Sequence, residues 1–439
     1  MKGSGMTNNT RHEAQHFILI NGVITDGLSF VLENGALEIR SGKIVRIGTS
    51  ADFSGEKTKK IDLGGRLVLP GLVNPHHHLY SALATGLAPV GPTPDFEKIL
   101  ENLWWRLDKT LDEESIYYSA MNGLMQSVRY GVTTVVDHHA SMSAVGGSLN
   151  VIKKAYETVG IRGLLCYEIS DRAGEAALQY QIDENIEFWT DNRDNPRTQG
   201  LLGLHANFTL SEKSLAKIAK QKPADLPVHI HCGEDASDLR YCRDLGYEGP
   251  VQRLSAFGLL TKDSLLAHCI HLSETDYRLL DENRAWVISN PESNANNRVG
   301  MMDLNKIPTY LLGTDGMTGN ILGTMRSHFL LRNGQVDHAP EILFAYPAEM
   351  LRRCFPESGT LREGGSADLA VCNYRPVTPV SPENLFYHLM FGVQGKEMFM
   401  TVAEGKILFS ENTFHTLDEV RINNEIRSAV KKLHGRYHA

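Results

Sequence analysis

The chain has 439 residues, 42% of them hydrophobic and 22% charged, with a net charge of −8. It is long enough for one large domain with a smaller companion, and it has no basic surplus that would attract nucleic acid or anionic lipid. No apolar run approaches the roughly 18 to 20 residues of a membrane span, and the polar start, Met1 to His16, lacks signal-peptide patterning, so the expected setting is the cytoplasm.

Residues 1–15 read as a weakly structured lead in which Gly3-Ser4-Gly5-Met6 resembles a cloning scar. Phe17 to Ile20 and Val23 to Thr25 flank Asn21-Gly22, while Leu37 to Arg40 and Lys43 to Gly48 flank Ser41-Gly42; both patterns predict β-hairpins. Strand-like runs return near the C-terminus at Ala367 to Cys372, Met398 to Ala403 and, after Glu404-Gly405, Lys406 to Leu408. The two ends are therefore expected to build one composite β-sandwich (residues 1–66 and 361–439, the latter with a terminal helix) around an insertion at 67–360.

The insertion alternates strand-like and helix-like segments. Leu67 to Leu69 and Leu72-Val73 read as one buried strand, interrupted by Pro70-Gly71, that runs into His76-His77-His78. Side chains alternate along a strand, so His76 and His78 point the same way and form half of a site for a divalent transition metal. Asp112 to Tyr130 predicts a helix, with apolar Ile116, Ala120, Leu124 and Val128 at helical spacing, Asp112 as N-cap and Gly131 as stop. Further strands are expected at Val132 to Val136, Gly163 to Tyr167, Gly200 to Leu204, Pro227 to Ile230, Ser264 to Ala267, Ala285 to Ile288 and Thr309 to Gly313. With the strand before His76 that makes eight, the count of a (β/α)₈ barrel, whose catalytic groups sit past the C-terminal strand ends. Polar residues stand there: His138-His139, Arg172, His205, His229, His231, Glu234, His268, Asn294 and Asp315. The six cysteines have no CxxC spacing, which argues against a disulfide framework or a cysteine zinc site.

These motifs, with the late Gly364-Gly365-Ser366-Ala367-Asp368-Leu369 segment, resemble the amidohydrolase superfamily over essentially the whole chain. The resemblance is to the branch of cytosine, guanine, adenosine-type and chlorotriazine deaminases and chlorohydrolases, most closely to the SsnA aminohydrolases. It implies His76, His78, His231 and Asp315 as metal ligands, Glu234 as proton shuttle and His268 as the group that orients water or polarises substrate. His205 matches the family's His-Ala-Pro-Tyr segment except that Asn207 replaces proline. Other barrels of the superfamily hold two metals bridged by a carboxylated lysine of strand four; Thr198 to Ser211 contains no lysine, so a single ion is expected, zinc with iron as the alternative.

Three neutral imidazoles and one carboxylate leave a position open on such an ion, where water can lose a proton near neutral pH. The expected activity is hydrolytic deamination of an amino-substituted, purine-like or pyrimidine-like N-heterocycle by a metal-bound hydroxide. Alternatives are ring opening of a cyclic amide or amidine, or dechlorination, at the same site, or a catalytically silent binding homologue. Trp105, with Trp104 beside it, is a candidate aromatic wall, and Arg172, His205 and Asn294 are further candidate substrate contacts. A small-molecule substrate and a homodimer are expected; no nucleic acid or membrane partner is.

Overall fold

A computed structural model describes residues 15–439; the expectations for residues 1–14 lie outside the described residues. The N-terminal segment supplies β1 (His16–Thr25), β2 (Val31–Arg40), β3 (Lys43–Thr49), β4 (Lys60–Asp62) and β5 (Leu67–Pro70). The β2–β3 hairpin turns at Ser41 and Gly42, both with positive φ, as its sequence predicts. The first predicted hairpin is a correction: β1 is one continuous strand, with register shifts between Leu19 and Ile24. Asn21, at φ 56°, is part of this bulge. The bend lets one edge of β1 pair first with β4, through Ile18 and Lys60, and then with β5, through Val23 and Leu67.

Pro70-Gly71 is also more than an interruption. Leu67–Pro70 pairs in the terminal sheet, and the barrel begins with β6 (Leu72–His77). A Cβ on Gly71 would lie 2.4 Å from Thr133 Oγ1 and 2.9 Å from Asp368 Cβ, so the crossing between sheet and barrel has room only for glycine.

The barrel continues with β7 (Val132–His139), β8 (Arg162–Tyr167), β9 (Thr198–Gly200) and β10 (Leu202–Leu204), then β11 (Val228–Cys232), β12 (Leu265–His268), β13 (Trp286–Ser289) and β14 (Leu311–Leu312). The fourth strand, expected unbroken, is split at Leu201: β9 pairs with β8 and β10 with β11. The backbone N–H of Leu201 donates to Leu165 O at 2.9 Å, which bridges the gap. The ring closes between first and last strands through a parallel bridge of His77 with Asp315. Every strand pair in the barrel is parallel, as in the expected (β/α)₈ architecture.

Val73, Leu164, Leu201, Leu265, Ile288 and Leu311 pack inside the barrel against Met350, Leu351 and Phe355. Each such buried side chain contributes about 1.5–3 kcal/mol, and the histidines stand at the opposite, C-terminal ends of the strands. Outside, the helix Glu113–Arg129 buries Ile116, Ala120, Leu124 and Val128, capped by Asp112, whose carboxylate accepts from Ser115 N–H. It stops at Arg129, and Gly131, at φ 80°, follows its C-cap Tyr130.

The chain returns to the terminal sheet with β15 (Leu369–Val371), β16 (Met400–Ala403), β17 (Lys406–Ser410) and β18 (Thr413–Phe414). The order is β18-β17-β16-β15-β5-β1-β2-β3, with β4 also on β1, so both ends of the chain share one sheet. Arg162 of β8 reaches across to Asp368 at 2.5 Å and to Ser366 Oγ at 3.0 Å, a buried link between barrel and sheet. The helix Glu419–His438 ends the chain. Among the described residues no helix is long and apolar enough to cross a membrane.

Candidate active site

Strand ends β6, β11 and β14 bring His76, His78, His231 and Asp315 together, one donor atom from each lying within 4.8 Å of the others. His78 Nε2 is 3.0 Å from both Asp315 Oδ1 and His231 Nε2, and His76 Nε2 is 3.8 Å from Asp315 Oδ1. Burial pushes His76 and His231 well below the ordinary imidazole range, which keeps them neutral and able to donate lone pairs. Burial opposes the Asp315 charge, yet the contact with His78 holds this carboxylate well below its usual range.

The backs of the rings are fixed. His78 Nδ1 donates to His138 O at 2.6 Å, and His231 Nδ1 to His205 O at 2.9 Å, so each ring turns its Nε2 to the centre. His76 Nδ1 meets His229 Nε2 at 2.9 Å. His76 Nε2 is buried without a hydrogen-bond partner, a cost that a bound cation removes. This converging set of three imidazoles and one carboxylate fits a divalent metal ion.

Glu234 and His268 flank the cluster. His268 Nε2 lies 3.5 Å from Glu234 Oε2 and 3.6 Å from Asp315 Oδ2. Glu234 lies in the loop after β11, and its Oε1 accepts from Asn297 Nδ2 at 3.3 Å. Burial raises its carboxyl to about 7, which suits a group that both gives and takes protons near neutrality. His268 and Asp315 adopt positive φ, 74° and 53°. For residues with side chains this costs about 1–3 kcal/mol each, and it turns both groups inward at their strand ends.

A cavity of ≈ 60 Å³ opens onto these groups, lined by His205, Trp104, Trp105, Glu234 and Asp315 among others. Trp105 and His205, both candidate substrate contacts, are thus on the cavity surface. Arg172 does not line the cavity: its guanidinium is held by Asp108 Oδ2 at 2.6 Å and Glu168 Oε1 at 2.8 Å and lies 5.0 Å from the Trp105 ring centre. Two buried carboxylates leave it no free edge for substrate. Asn294 is fully buried as well, and its Oδ1 accepts from His268 Nδ1 at 2.7 Å, so it braces that ring and stays out of the cavity.

The sequence reading missed Glu168 and Asp108, both buried in the cavity wall. Glu168 follows β8 by one residue, a position that barrel logic could have flagged. Asp108 sits in the long excursion after β6, where only tertiary contact distinguishes it. His138 and His139, at the end of the second barrel strand, are fully buried and outside the cavity lining; His138 lies among the rings of His76, His78, His229 and His231.

Comparison with known proteins agrees with this architecture. The chain is 29% identical to the 5-methylthioadenosine/S-adenosylhomocysteine deaminase of Pyrococcus furiosus, over 94% of its own length and 100% of the relative's. It is 26% identical to the 5'-deoxyadenosine deaminase of Methanobrevibacter smithii, over 98% and 99% of the two chains. The crystal structure of an adenosine deaminase from Xanthomonas campestris with bound zinc superposes with a TM-score of 0.81 at 19% identity, covering 95% of this chain and 98% of that one. Residues 67–408, most of the chain and all of the four-donor cluster, match the amidohydrolase family model, and the chain belongs to that family.

Proposed function

We propose that the protein is a metal-dependent aminohydrolase that exchanges the exocyclic amino group of a purine-like heterocycle for oxygen. One observation carries the reading: the four-residue donor cluster at the barrel mouth has Glu234 and His268 directly beside it. His76, His78, His231 and Asp315 would hold one divalent ion, with zinc preferred and iron the alternative. A divalent ion held there would make a water acidic enough to lose a proton near neutral pH.

The chain's own groups account for the protons. Asp315 Oδ2, turned toward His268, accepts the proton that water gives up. Glu234, at about 7, delivers its proton to the ring nitrogen beside the attacked carbon, then takes the proton of the newly added hydroxyl and hands it to the departing amine, so that the carbon–nitrogen bond breaks with ammonia as leaving group and a carbonyl forms; the proton held by Asp315 then restores Glu234. His268, its Nδ1–H held by Asn294, presents Nε2 between the two carboxylates and keeps the water on line.

Deamination is favoured over ring opening because ring opening gains from a second metal, and strand four carries no lysine to bridge one. The printed activities of the Pyrococcus and Methanobrevibacter relatives support an adenine-type ring. Sequence motifs support a place beside the SsnA aminohydrolases. Six free cysteines support a reducing, cytoplasmic setting. Exposed Leu330, Leu331, Tyr387 and Phe391 support a homodimer, which sedimentation would test. For the activity the experiment is an ammonia-release screen of zinc-loaded protein against purines, pyrimidines, pterins and aminoimidazoles. Release from an amino-purine is expected; no release from any member overturns the reading.

A further inference from the structure

The long excursion after β6 carries one whole side of the cavity. Phe96, Leu100, Trp104, Trp105 and Asp108 line it, at a spacing close to four. Four residues overshoot the α-helical turn of about 3.6. The helical segment takes up the excess in one wide turn, Leu100–Trp104, where Trp105 N–H donates to Leu100 O, five residues back. Such turns are rare and concentrate at functional sites. On the barrel side this wall is tied by Arg172, which bonds Asp108 Oδ2 at 2.6 Å and lies against the Trp105 ring; the buried Trp105 indole N–H has no partner of its own.

The outer side is held by the far end of the chain. The helix Glu419–His438 buries Ile422, Ile426, Ala429, Leu433 and Tyr437, one face at helical spacing, which lays its last turn on the excursion. His434 Nε2 donates to Leu83 O at 3.1 Å and Arg436 Nε to Thr110 O at 2.8 Å, at the two ends of the segment. Between them the fully buried Tyr437 places its hydroxyl 3.1 Å from Ala88 O and 3.0 Å from Asn102 O, and Arg106 Nε donates back to Tyr437 O at 2.6 Å.

Asn102 is the knot of the segment. Its carbonyl also accepts from Val90 N–H at 3.0 Å, and its Nδ2 donates to Pro92 O at 2.7 Å. Asn102 and Arg106 bracket Trp104 and Trp105, so the terminal turn closes on the backbone that carries both rings. Loop carbonyls are ordinarily met by water or by the loop's own N–H groups. Here four of them are met by one turn of helix that lies 326 to 351 residues further along the chain. The apolar face alone would dock the helix; the polar contacts all converge on the segment that forms the cavity wall.

Resting on the aminohydrolase reading for what the cavity does, we propose that the terminal turn of the helix Glu419–His438 is a strap that sets the aromatic wall of the active site, with Tyr437 and Arg436 as positioning residues that act through the segment 83–110. Neither lines the cavity. Loosening them therefore frees Trp104 and Trp105 to move while every reacting group stays in place.

The test is amide hydrogen exchange of the zinc-loaded full chain, read by mass spectrometry of its peptides, together with steady-state kinetics on an amino-purine that releases ammonia. Tyr437→Phe keeps the ring and loses the hydroxyl contacts. Arg436→Met, a second variant should the first not fold, loses the donor to Thr110, and Arg436→Lys restores one. Loss of one such bond predicts exchange about three- to tenfold faster across 83–110, with peptides from β11 and β12 unchanged. KM should rise by a similar factor while kcat stays within about twofold of the parent, and Arg436→Lys should lie nearer the parent than Arg436→Met. Unchanged exchange at 83–110 in every folded variant, equal acceleration throughout the barrel, or a fall in kcat with KM unmoved overturns the proposal. Exchange needs no turnover, so faster exchange confined to 83–110 in a protein that releases no ammonia sinks the aminohydrolase reading and leaves the strap standing.

Discussion

Replacing Glu234 by glutamine removes one proton and one charge while keeping the side chain's size. In the structure Glu234 Oε1 accepts from Asn297 at 3.3 Å, and Oε2 lies 3.5 Å from His268 Nε2. A glutamine can keep the first contact through its carbonyl oxygen and can place its amide against the His268 lone pair, so little packing is lost. What disappears is a buried carboxyl poised at about 7. Loss of a general acid/base typically costs 10²–10⁴ in rate, so kcat should fall by roughly 10² or more, about 2.7 kcal/mol of barrier. Because Glu234 is outside the four-donor cluster, zinc content should stay near that of the parent. The assay pairs ammonia release with elemental analysis of the same preparation. A variant that loses its zinc would make Glu234 a ligand, and one that keeps full turnover would remove it from the proton path; either result refutes the division of labour.

Elemental analysis of the parent should find one zinc or iron per chain, and Asp315→Asn should lower retention of the ion; a value near two refutes the single-ion reading. His229 Nε2 supports His76 Nδ1, so His229→Phe should weaken zinc binding about 10- to 100-fold, while His229→Gln, which keeps an acceptor, should weaken it less; a competition titration with a chelator ranks them. Burial raises Asp137, whose Oδ1 accepts from Leu79 N–H and whose Oδ2 has no partner, from 3.8 to about 7. Since the folded chain binds this proton more tightly than the unfolded one, its contribution is complete below pH 3.8 and is lost as pH rises through 7. Asp137→Asn should therefore gain stability relative to the parent between pH 5 and 8, by at most roughly 2.6 kcal/mol. Urea unfolding at both pH values measures it, and a parent that gains relative to the variant contradicts the sign.

The convergence of four potential metal donors was legible because its signals are local and rigid. His76 and His78 share a strand face, and His231 and Asp315 stand at strand ends that parallel β-structure brings to one mouth. The position of Glu234 and His268 beside it was legible for the same reason. What escaped depended on contacts between distant segments. Asn21-Gly22 is a strong local turn signal, but pairing of β1 with both β4 and β5 outweighs it and converts the turn to a bulge. Pro70-Gly71 looks the same in sequence whether it interrupts one strand or separates two sheets; the close approach of Thr133 and Asp368 decides. Arg172 looked available to substrate because its partner Asp108 is 64 residues away. Asn294 could be assigned to His268 only once β12 and the helix Pro291–Asn297 after β13 were side by side.

The central claim is hydrolytic loss of an amine at the site framed by His76, His78, His231, Asp315 and Glu234. Its most direct test is mass spectrometry of the product formed by zinc-loaded protein from an amino-purine in ¹⁸O-labelled water. The account predicts a closed ring in which one amino group has been replaced by one labelled oxygen, with an equivalent of ammonia released. A product that has gained the elements of water with its nitrogen retained would contradict it.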